Sequence, residues 1–575
     1  MEPVAGKWAF HADDEMLKQI GENHITLLPI LAYNSRDISV FPAWSHLDQW
    51  SDYVRHVVTR YQKEVPCWEV WNEPNDSRFW GAPIRSLPGS AEHYTILLKR
   101  TYQEIKSINP NLKVLYCGIV TPPWEYIEKS FAAGAGNYFD VMNLHSYYAF
   151  GTPEYALIAK TRKLSAIMKK YGLQKPLWIT EMGYSSASPL PLFTKVLPIA
   201  LQRAGIKPEE STAAIVYDPN PGFEGAVNLL DQKCLNQFRA VDKITFAQLK
   251  DISPRKYSLL IPYGGCGAFP SKYIPDLLQY VAKGGTLFLP SDLPFYFDLV
   301  PDPSGEWQLR QVNDQYMAAF HIAWDTWWTR KDVPKKVTFV RPTPEFAGQL
   351  KEKMNISPKG FLSTRNLKGN DRFIPIIEAG TDQFKSAIAG LYKLDSDLKG
   401  NIIFFSTTAT PNTTLESLQT EYLPRIYLTA FACGVDRVFW YNFRAMEWSA
   451  TESEAHFGIV GNSLAPKPSY WAMKTLTSLC PSGSTRPVLK HDKNLFLASW
   501  TRPDGVKVWA YWAALRPEKV DIEIEGTVQK IVNHLGEPLK QANHTATGSI
   551  CYLVGPKSVS LGNVFPKKQD EEADR

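Results

Sequence analysis

The sequence predicts an α/β protein, because two patterns alternate along its first third. Between residues 24 and 184, short apolar segments alternate with segments whose apolar residues recur at helical spacing. That alternation is typical of a parallel sheet with crossover helices. A further apolar segment of the same type lies far downstream. The segments predicted to be strands of this sheet are residues 24–33, 67–71, 113–119, 139–145, 176–180 and 436–441.

The helices of this region are predicted from their apolar stripes. Each stripe has residues three or four positions apart, which places them on one face of a helix. The stripes are Leu47, Trp50, Val54, Val57, Val58 and Tyr61; then Tyr94, Leu98, Tyr102 and Ile105; then Leu157, Leu164, Met168 and Tyr171. Gly172 follows the third stripe and predicts the end of that helix. A helix over about residues 415–433 precedes the last strand.

These patterns divide the chain into five segments. Residues 1–200 and 412–484 carry the alternating pattern described above. Residues 201–411 interrupt it with a second α/β unit, in which strand, helix and strand follow one another. Residues 485–562 read as all-β, with the runs of a C-terminal β-sandwich. Residues 563–575 are strongly charged, so we expect a disordered tail.

Composition excludes several classes of function. The chain has 575 residues with 63 Lys and Arg against 58 Asp and Glu, a net charge of +5 without long basic runs. We therefore expect no nucleic-acid partner. No apolar run approaches the roughly 20 residues of a membrane span. The seven cysteines are scattered and form no CxxC pair, so nothing suggests a zinc knuckle or a thioredoxin-type site.

Two glutamates at predicted strand ends carry the strongest functional signal. Glu73 lies in the sequence WNEPN directly after one strand, and Glu181 lies in TEMG directly after a later strand. Because the carboxyl ends of parallel barrel strands converge on one face, the two side chains are expected to meet. One protonated and one ionised carboxyl group are what a retaining glycosidase requires. Taken alone, Asn-Glu-Pro would also suit a turn.

The order of these motifs resembles glycoside hydrolase clan A, and the chain is most similar to family 39-like enzymes over residues 1–200 and 412–484. In that clan an acid/base residue follows an asparagine on strand four of a (β/α)8 TIM barrel, and the nucleophile ends strand seven. The resemblance implies that Glu73 is the general acid/base and Glu181 the nucleophile. It also implies that Asn72 hydrogen-bonds the sugar 2-hydroxyl.

The resemblance extends to three further residues. His145 and Tyr147 end the strand before Glu181 and resemble the clan's residues near the nucleophile. Trp440 resembles the aromatic platform at the end of strand eight. Each has a structural alternative: a core histidine for His145, and packing for Tyr147 and Trp440. Loop aromatics that would line subsites are Trp80, Trp124 and Trp448.

The inserted segment, from about residue 208 to 300, resembles the glutamine-amidotransferase-like domain of family 42-like β-galactosidases. That resemblance implies a homo-oligomer formed through the insertion. Cys266 lies in the glycine-rich run YGGCG, which suggests a thiol nucleophile. However, no well-placed His-x-Glu partner follows, and His321 lies in an apolar stretch. We therefore expect a structural role for Cys266.

The function that these residues favour is hydrolysis of an oligosaccharide or polysaccharide glycoside by double displacement, with no metal and no organic cofactor. Glu181 would attack the anomeric carbon while Glu73 protonates the leaving oxygen, and Glu73 would then activate water. Two alternatives stay open: a non-catalytic carbohydrate-binding or truncated, inactive relative, and a transglycosylase. The sequence does not name the sugar, and it does not distinguish endo from exo action.

The strand count predicts an incomplete barrel. Residues 2–10 resemble the segment that follows strand two in the clan, so the six predicted strands correspond to strands three to eight. We therefore expect the first two strands to be missing, with a strand edge exposed on each side of the gap. The alternative is that the C-terminal region or a partner chain fills the gap. With such a truncation a missing signal peptide assigns no localisation, and a secreted or periplasmic protein is compatible with it.

Overall fold

The computed structural model describes most of the chain. Residues outside the description are 1–7, 121–123, 148–151, 187–191, 217–234, 236, 263–266, 291–293, 302–306, 313, 328, 351–357, 359, 407–414, 447–452, 493, 515, 516, 521, 523, 543, 557 and 562–575. The expected disordered tail, Trp448 and Cys266 therefore lie outside the described residues.

The first part of the chain alternates strands and helices as predicted. Its elements are α1 (His11–Glu22), β1 (Ile30–Leu31), α2 (Leu47–Tyr61), β2 (Cys67–Val70), α3 (Ser77–Trp80), α4 (Ala91–Ile108), β3 (Lys113–Leu115), α5 (Trp124–Ala132), β4 (Met142–His145), α6 (Pro153–Lys170), β5 (Leu177–Met182) and α7 (Leu197–Ala204). The first strand is much shorter than the predicted 24–33. Among the described strands β1 has one neighbour, β2, and Pro29 has no N–H to donate to a ladder.

The inserted region contains a mixed sheet with helices. Its elements are β6 (Thr212–Val216), β7 (Ala240–Ile244), β8 (Leu259–Ile261), β9 (Ala268–Phe269), α8 (Ile274–Ala282), β10 (Thr286–Leu289), β11 (Phe297–Pro301), β12 (Trp307–Gln311), α9 (Gln315–Ala319), β13 (Ala323–Asp325), β14 (Phe339–Pro342), β15 (Phe361–Ser363), β16 (Arg372–Gly380), β17 (Lys385–Lys393) and β18 (Asn401–Phe405). β7, β6, β8, β10 and β18 are parallel neighbours, and β17 continues the sheet in the antiparallel sense. Apolar clusters cover both faces of this sheet.

The chain then returns to the first sheet and continues into an all-β region; the β-sandwich stays a prediction. The remaining elements are α10 (Leu415–Ala432), β19 (Val435–Trp440), α11 (Pro468–Leu479), β20 (Val488–His491), β21 (Leu495–Thr501), β22 (Lys507–Ala513), β23 (Glu518–Lys519), β24 (Ile524–Glu525), β25 (Lys530–Asn533), β26 (Thr545–Ala546), β27 (Cys551–Gly555) and β28 (Ser560–Leu561). Five of these strands form an antiparallel sheet in the order β20-β21-β22-β27-β25. One face of that sheet packs on Leu428, Leu476 and Leu479 of α10 and α11.

Six parallel strands form the sheet that carries the two glutamates. β1, β2 and β3 make one ladder, and β4, β5 and β19 make another. A single parallel bridge between Leu115 and Val141 joins the two ladders. The resulting order, β1-β2-β3-β4-β5-β19, follows the chain. Within the described residues no ladder joins β1 to β19, and Ile30 in β1 is 37% exposed. That these strands are part of a (β/α)8 barrel lacking its first two strands stays a prediction.

The inner face of this sheet changes from apolar to polar side chains along the direction of the strands. Its lower layer is apolar and consists of Leu115, Val141 and Trp178, packed with Leu28, Cys67 and Phe439. Two residues further along three of these strands, on the same face, stand Glu69, Asn143 and Thr180. The polar layer therefore lies nearer the carboxyl ends of the strands, next to the predicted site. Among the described helices, none is long and apolar enough to cross a membrane.

Candidate active site

The backbone after β2 is bent so that Glu73 faces the sheet interior. Trp71 and Glu73 both have positive φ, 67° and 46°. A non-glycine residue in this left-handed region costs about 1–2 kcal/mol, and such strain concentrates at functional sites. Two backbone hydrogen bonds hold the bend: Trp71 N–H donates to the Leu31 carbonyl at 2.9 Å, and Glu73 N–H donates to the Gly118 carbonyl at 3.0 Å. The neighbouring strands thus hold the strained segment in place.

A shift in strand register brings Glu181 to the same face. Along β4 and β5, Leu144 pairs with Ile179, but His145 pairs with Glu181. One extra residue on β5 is therefore accommodated at this point, which re-aims the following side chain. Thr180 and Glu181, although adjacent, can both contact His145. Strict alternation along the strand would have sent one of them to the outer face.

His145 lies between the two glutamates. Its Nδ1 is 2.7 Å from Oε1 of Glu73 and 3.5 Å from Oε2 of Glu181. A carboxylate oxygen of Glu73 and one of Glu181 lie within 4.8 Å of each other. Glu73 is 6% exposed and His145 is fully buried, while a quarter of the Glu181 side chain is accessible. The pair is therefore buried on one side and open toward solvent on the other.

Tyr147 fixes the position of Glu181. The Tyr147 hydroxyl donates a hydrogen bond to Oε2 of Glu181 at 3.1 Å. Its ring packs edge-on against Tyr441 and Phe457 at centroid distances of 6.3 and 5.8 Å. Behind it, the ammonium of Lys160 donates to the Tyr147 carbonyl. Burial lowers the pKa of Lys160 to about 8.

Asn72 has a buried side-chain oxygen without a hydrogen-bond donor in the described chain. Its Nδ2 donates to the Tyr33 hydroxyl at 3.0 Å, which fixes the amide plane. Its Oδ1 is buried, and within the described chain it has no hydrogen-bond partner. A buried oxygen without a donor costs about 1–3 kcal/mol. A hydroxyl group of a bound ligand would satisfy it.

The charges of the site influence one another. Burial raises the pKa of Glu181, with a contribution from the negative charge of Glu73, while the charge of His145 and the hydrogen bond from Tyr147 oppose the rise. Burial alone would lower the pKa of His145, but its hydrogen bond to Glu73 and the nearby charge of Glu181 raise it. The protonated form of His145 would offset the repulsion between the two carboxyl groups at this short separation.

Trp440 does not join this cluster. Its indole N–H donates to the Phe457 carbonyl at 3.1 Å, and its ring packs with core residues beside α10. The next residue, Tyr441, contacts Tyr147 instead and donates to Glu454 at 3.1 Å. The register along β19 shifts between Val438 and Trp440, which changes the face that each residue takes.

The loop tryptophans Trp80 and Trp124, and His321 of the insertion, each contact other side chains of the protein. Trp80 ends α3, is 2% exposed and packs against Trp71 at a centroid distance of 5.0 Å. Trp124 begins α5, and the ammonium of Lys163 lies over its ring at 5.4 Å. In the insertion, His321 is buried and its Nδ1 is 2.8 Å from Asp371. These three residues therefore have roles in packing or in local hydrogen bonding.

Sequence reasoning missed Glu69. This side chain is 1% exposed on the inner face of β2, next to His145. The sequence did contain a sign of this residue, because Glu69 lies in the middle of the apolar run CWEVW. A glutamate on a buried strand usually has a partner. Tyr33 and Tyr441, which flank the two glutamates, were also missed because nothing in their local sequence separates them from packing residues.

The cluster of Glu73, His145 and Glu181 has residue types that can bind a cation. However, Nδ1 of His145 is already hydrogen-bonded to Glu73, and Glu181 accepts from Tyr147. The arrangement is a hydrogen-bonded network in which the protein atoms satisfy one another. We assign no metal to it.

No family model matches the chain, and no curated protein matches it. Solved structures do. A family 39 glycoside hydrolase from Bacteroides cellulosilyticus WH2 is 15% identical, with 96% of this chain and 73% of that chain covered and a TM-score of 0.43. A family 39 β-xylosidase from Caulobacter crescentus is 10% identical, with coverage of 96% and 85% and a TM-score of 0.41.

A third similar structure is a catalytic mutant of a family 42 β-galactosidase from G. stearothermophilus. It is 11% identical, with 96% of this chain and 92% of that chain covered and a TM-score of 0.28. At these scores the assignment of a site in this chain depends on its own side chains. The solved structures that are similar to this chain thus include glycoside hydrolases of families 39 and 42.

Proposed function

We propose that this chain is a retaining glycosidase, with Glu73 as general acid/base and Glu181 as nucleophile. The observation that carries the proposal is the approach of the two carboxylates, since one oxygen of Glu73 lies within 4.8 Å of one oxygen of Glu181. Retaining enzymes hold their carboxyl groups about 5–5.5 Å apart, whereas inverting enzymes leave about 6.5–9.5 Å for a water molecule. The short separation favours direct attack by one carboxylate.

In the first step, Glu181 attacks the anomeric carbon while Glu73 gives its proton to the leaving oxygen. The bond from the anomeric carbon to the leaving oxygen breaks as the bond to the Glu181 oxygen forms. Tyr147 holds the attacking carboxylate by its hydrogen bond to Oε2. His145 stabilises the carboxylate that Glu73 becomes once its proton has left.

In the second step, Glu73 removes a proton from water, and the water oxygen displaces Glu181 from the anomeric carbon. The same residue is thus an acid first and a base afterwards. Asn72 supports both steps, because its free Oδ1 can accept a hydrogen bond from a hydroxyl of the bound sugar. Tyr441 supplies an aromatic ring near the cleft, a role that the sequence suggested for Trp440.

We further propose that the six parallel strands correspond to strands three to eight of a (β/α)8 barrel, with residues 201–411 inserted after strand seven. The apolar inner layer and the convergence of both glutamates at the carboxyl ends of their strands support this assignment. The substrate would be an oligosaccharide or polysaccharide glycoside.

A second candidate is a non-catalytic carbohydrate-binding protein. It is favoured by the open strand edges, since Ile30 at one edge is 37% exposed and, in the described residues, no strand pairs with the outer side of β19. A cleft that is open at its side excludes water poorly, and water exclusion strengthens the electrostatic stabilisation of the transition state.

Release of nitrophenol from a panel of aryl glycosides separates the two candidates. We expect wild-type turnover on at least one sugar, and no turnover by Glu181→Gln on any of them. We expect Glu73→Ala to slow unactivated glycosides by about 10²–10⁴-fold and to be rescued by azide on good leaving groups, whereas azide does not rescue Glu181→Gln. Glu125→Gln, at an exposed helix position paired with Lys129, is the matched control.

Mass spectrometry after incubation with fluorosugars would identify the nucleophile, and NMR would identify the product anomer. A covalent adduct on Glu181 with retained configuration is expected. Full activity of Glu73→Ala on a natural unactivated glycoside would disprove the role given to Glu73. Inverted product would disprove the covalent step, and binding without turnover by wild type would favour the second candidate.

A further inference from the structure

Glu69 is a buried carboxyl group that the two catalytic steps do not use. It lies on β2 four residues before Glu73 and is 1% exposed. Its Oε1 accepts hydrogen bonds from Gly118 N–H at 2.9 Å and from Asn143 Nδ2 at 2.8 Å, and the Thr180 hydroxyl lies 3.3 Å away. The two donors directed at this oxygen favour the ionised form of the carboxyl group, against the effect of its burial.

The orientation of the Asn143 side-chain amide is fixed by a backbone N–H, which can donate a hydrogen bond but cannot accept one. The backbone N–H of Thr180 donates to Oδ1 of Asn143 at 3.1 Å. The amide nitrogen must therefore point the other way, and it donates to Glu69 at 2.8 Å and to the Thr180 oxygen at 2.7 Å. Both amide hydrogens are used, so the Thr180 oxygen is an acceptor in this network.

The Thr180 hydroxyl has one hydrogen and two candidate acceptors. Oε1 of Glu69 is 3.3 Å away and Nε2 of His145 is 3.2 Å away. If the hydrogen points to Glu69, Nε2 of His145 must carry a proton in order to donate to Thr180. When Glu73 is ionised, Nδ1 must donate to it across the 2.7 Å contact, and both ring nitrogens are then protonated; when Glu73 carries the proton, it can donate to Nδ1 instead, and the ring is neutral. If the hydrogen points to His145, the ring is neutral.

We infer that Glu69 is a positioning residue for Glu73: acting through Thr180, its carboxylate holds His145 as the imidazolium that hydrogen-bonds Glu73. The distance between the two groups supports action through Thr180. Nε2 of His145 is 3.9 Å from Oε1 of Glu69, which is too far for a direct hydrogen bond. An ionised Glu69 attracts the Thr180 hydrogen and the positive ring together. A neutral Glu69 does neither.

The charges around His145 act on this inference in both directions. Three carboxyl groups, those of Glu69, Glu73 and Glu181, lie within 4 Å of the His145 ring, and each favours the protonated form of the ring when ionised. Burial raises the pKa of Glu69 to about 7 and so opposes its ionised form, whereas the charge of His145 and the hydrogen bond from the Gly118 N–H favour ionisation. Other titratable or charged groups around this cluster are Tyr33, Arg78, Cys117, Tyr147, Lys160, Tyr441 and Glu454.

The catalytic meaning of this arrangement depends on the proposed function, but the charge of His145 does not. In a glycosidase, an imidazolium beside Glu73 stabilises the carboxylate left after proton donation, so it makes Glu73 a stronger acid. Loss of that charge would slow substrates with poor leaving groups more than aryl glycosides with good ones, because the latter need no proton.

The test is an NMR titration of protein labelled with ¹³C at the Cε1 atoms of its 11 histidines, with His145→Gln identifying the signal of interest. We expect the wild-type His145 midpoint to lie above the ordinary value of about 6.5. In Glu69→Gln it should fall by about one pH unit or more. Glu128→Gln, a half-exposed carboxyl group paired with Lys170, is the control and should leave the midpoint unchanged.

A second pair of variants tests the route through Thr180 and does not depend on how well Glu69→Gln folds. Thr180→Val removes the hydroxyl at nearly constant shape and should lower the His145 midpoint, whereas Thr180→Ser keeps the hydroxyl and should preserve it. An unchanged midpoint in Glu69→Gln, or a wild-type ring that is neutral at pH 6, would overturn the inference. Equal midpoints in Thr180→Val and Thr180→Ser would overturn the route.

The outcomes also separate this inference from the proposed function. If wild type hydrolyses no glycoside while the midpoint shifts as expected, the proposed function fails and the inference stands. If wild type is active and Glu69→Gln slows good and poor leaving groups equally, with no change in the midpoint, the inference fails and the proposed function stands.

Discussion

At the scale of single residues, Gly118 shows how closely the site is packed. It follows β3, and its backbone N–H and carbonyl serve Glu69 and Glu73 on the neighbouring strand. The imidazole of His145 lies directly over it, and a Cβ at position 118 would overlap the ring. A glycine is required here because the ring approaches the backbone closely, and not because of an unusual φ.

We expect Gly118→Ala to displace His145 and to lower the free energy of unfolding by about 1–3 kcal/mol, the usual cost of overpacking. The His145 Cε1 signal should shift, because the ring can no longer reach both Glu73 and Thr180. Thermal unfolding and the labelled-histidine spectrum measure the two effects.

Gly21→Ala is the control for Gly118→Ala. It lies in the last turn of α1, where a Cβ would meet nothing within 4 Å. This variant should be as stable as wild type or slightly more so, since alanine favours helix. Wild-type stability and an unshifted His145 signal in Gly118→Ala would contradict the packing described here.

At the scale of elements, α4 holds two strands together just below the site. Tyr94 on α4 is fully buried, and its hydroxyl accepts from Cys117 N–H at 2.8 Å and donates to the Val70 carbonyl at 3.3 Å. The direct ladder between β2 and β3 ends with Glu69 and Leu115. Tyr94 thus bridges the strands where they separate, and this fixes the backbone that leads into Glu73.

We expect Tyr94→Phe to lower the free energy of unfolding by about 1–3 kcal/mol, because a buried amide loses its acceptor. Amide hydrogen exchange should show faster exchange of the Cys117 N–H. Tyr102→Phe is the matched control on the same helix, where the ring is half-buried against Tyr138. Equal stability of the two variants would show that the Tyr94 bridge contributes nothing.

At the scale of the whole molecule, one buried ion pair connects the parallel sheet region to the all-β region. Arg425 on α10 donates to Glu154 on α6, with Nη2 at 2.9 Å from Oε2, and both side chains are buried. Trp512 of β22 donates to the same carboxylate at 2.7 Å, and Arg425 also donates to the Ala514 carbonyl at 3.3 Å. Apolar residues of α10 and α11 surround this contact.

We expect Glu154→Leu to destabilise the protein by about 3–5 kcal/mol, because it leaves the Arg425 charge buried without a partner. Replacing both residues, as Glu154→Leu with Arg425→Met, should recover most of this loss, since an apolar pair needs no desolvation of charge. Thermal unfolding measures the stability, and limited proteolysis reports detachment of the all-β region. A single variant as stable as wild type would contradict the coupling.

The sequence by itself determined the order of the strands along the chain and the position of the two glutamates at strand ends. Apolar periodicity is local, so it identified the three long helices before residue 184 and the strands that follow them, and the strand near 436–441, although it made the first strand much too long and missed the helices His11–Glu22, Ser77–Trp80 and Trp124–Ala132. Because strand ends follow from the same periodicity, it also placed Glu73, Glu181, His145 and Asn72 at the carboxyl ends of parallel strands.

Only the tertiary structure decided which way each side chain faces and what it meets. The register shift that turns Glu181 toward His145 and the shift that places Tyr441 rather than Trp440 near the cleft arise from pairing between distant strands. Glu69 meets its partners 49–111 residues away, and Glu154 meets Arg425 271 residues away. Burial and pairing at such distances leave no local pattern, because the free energy that fixes them comes from neighbours that the fold brings together.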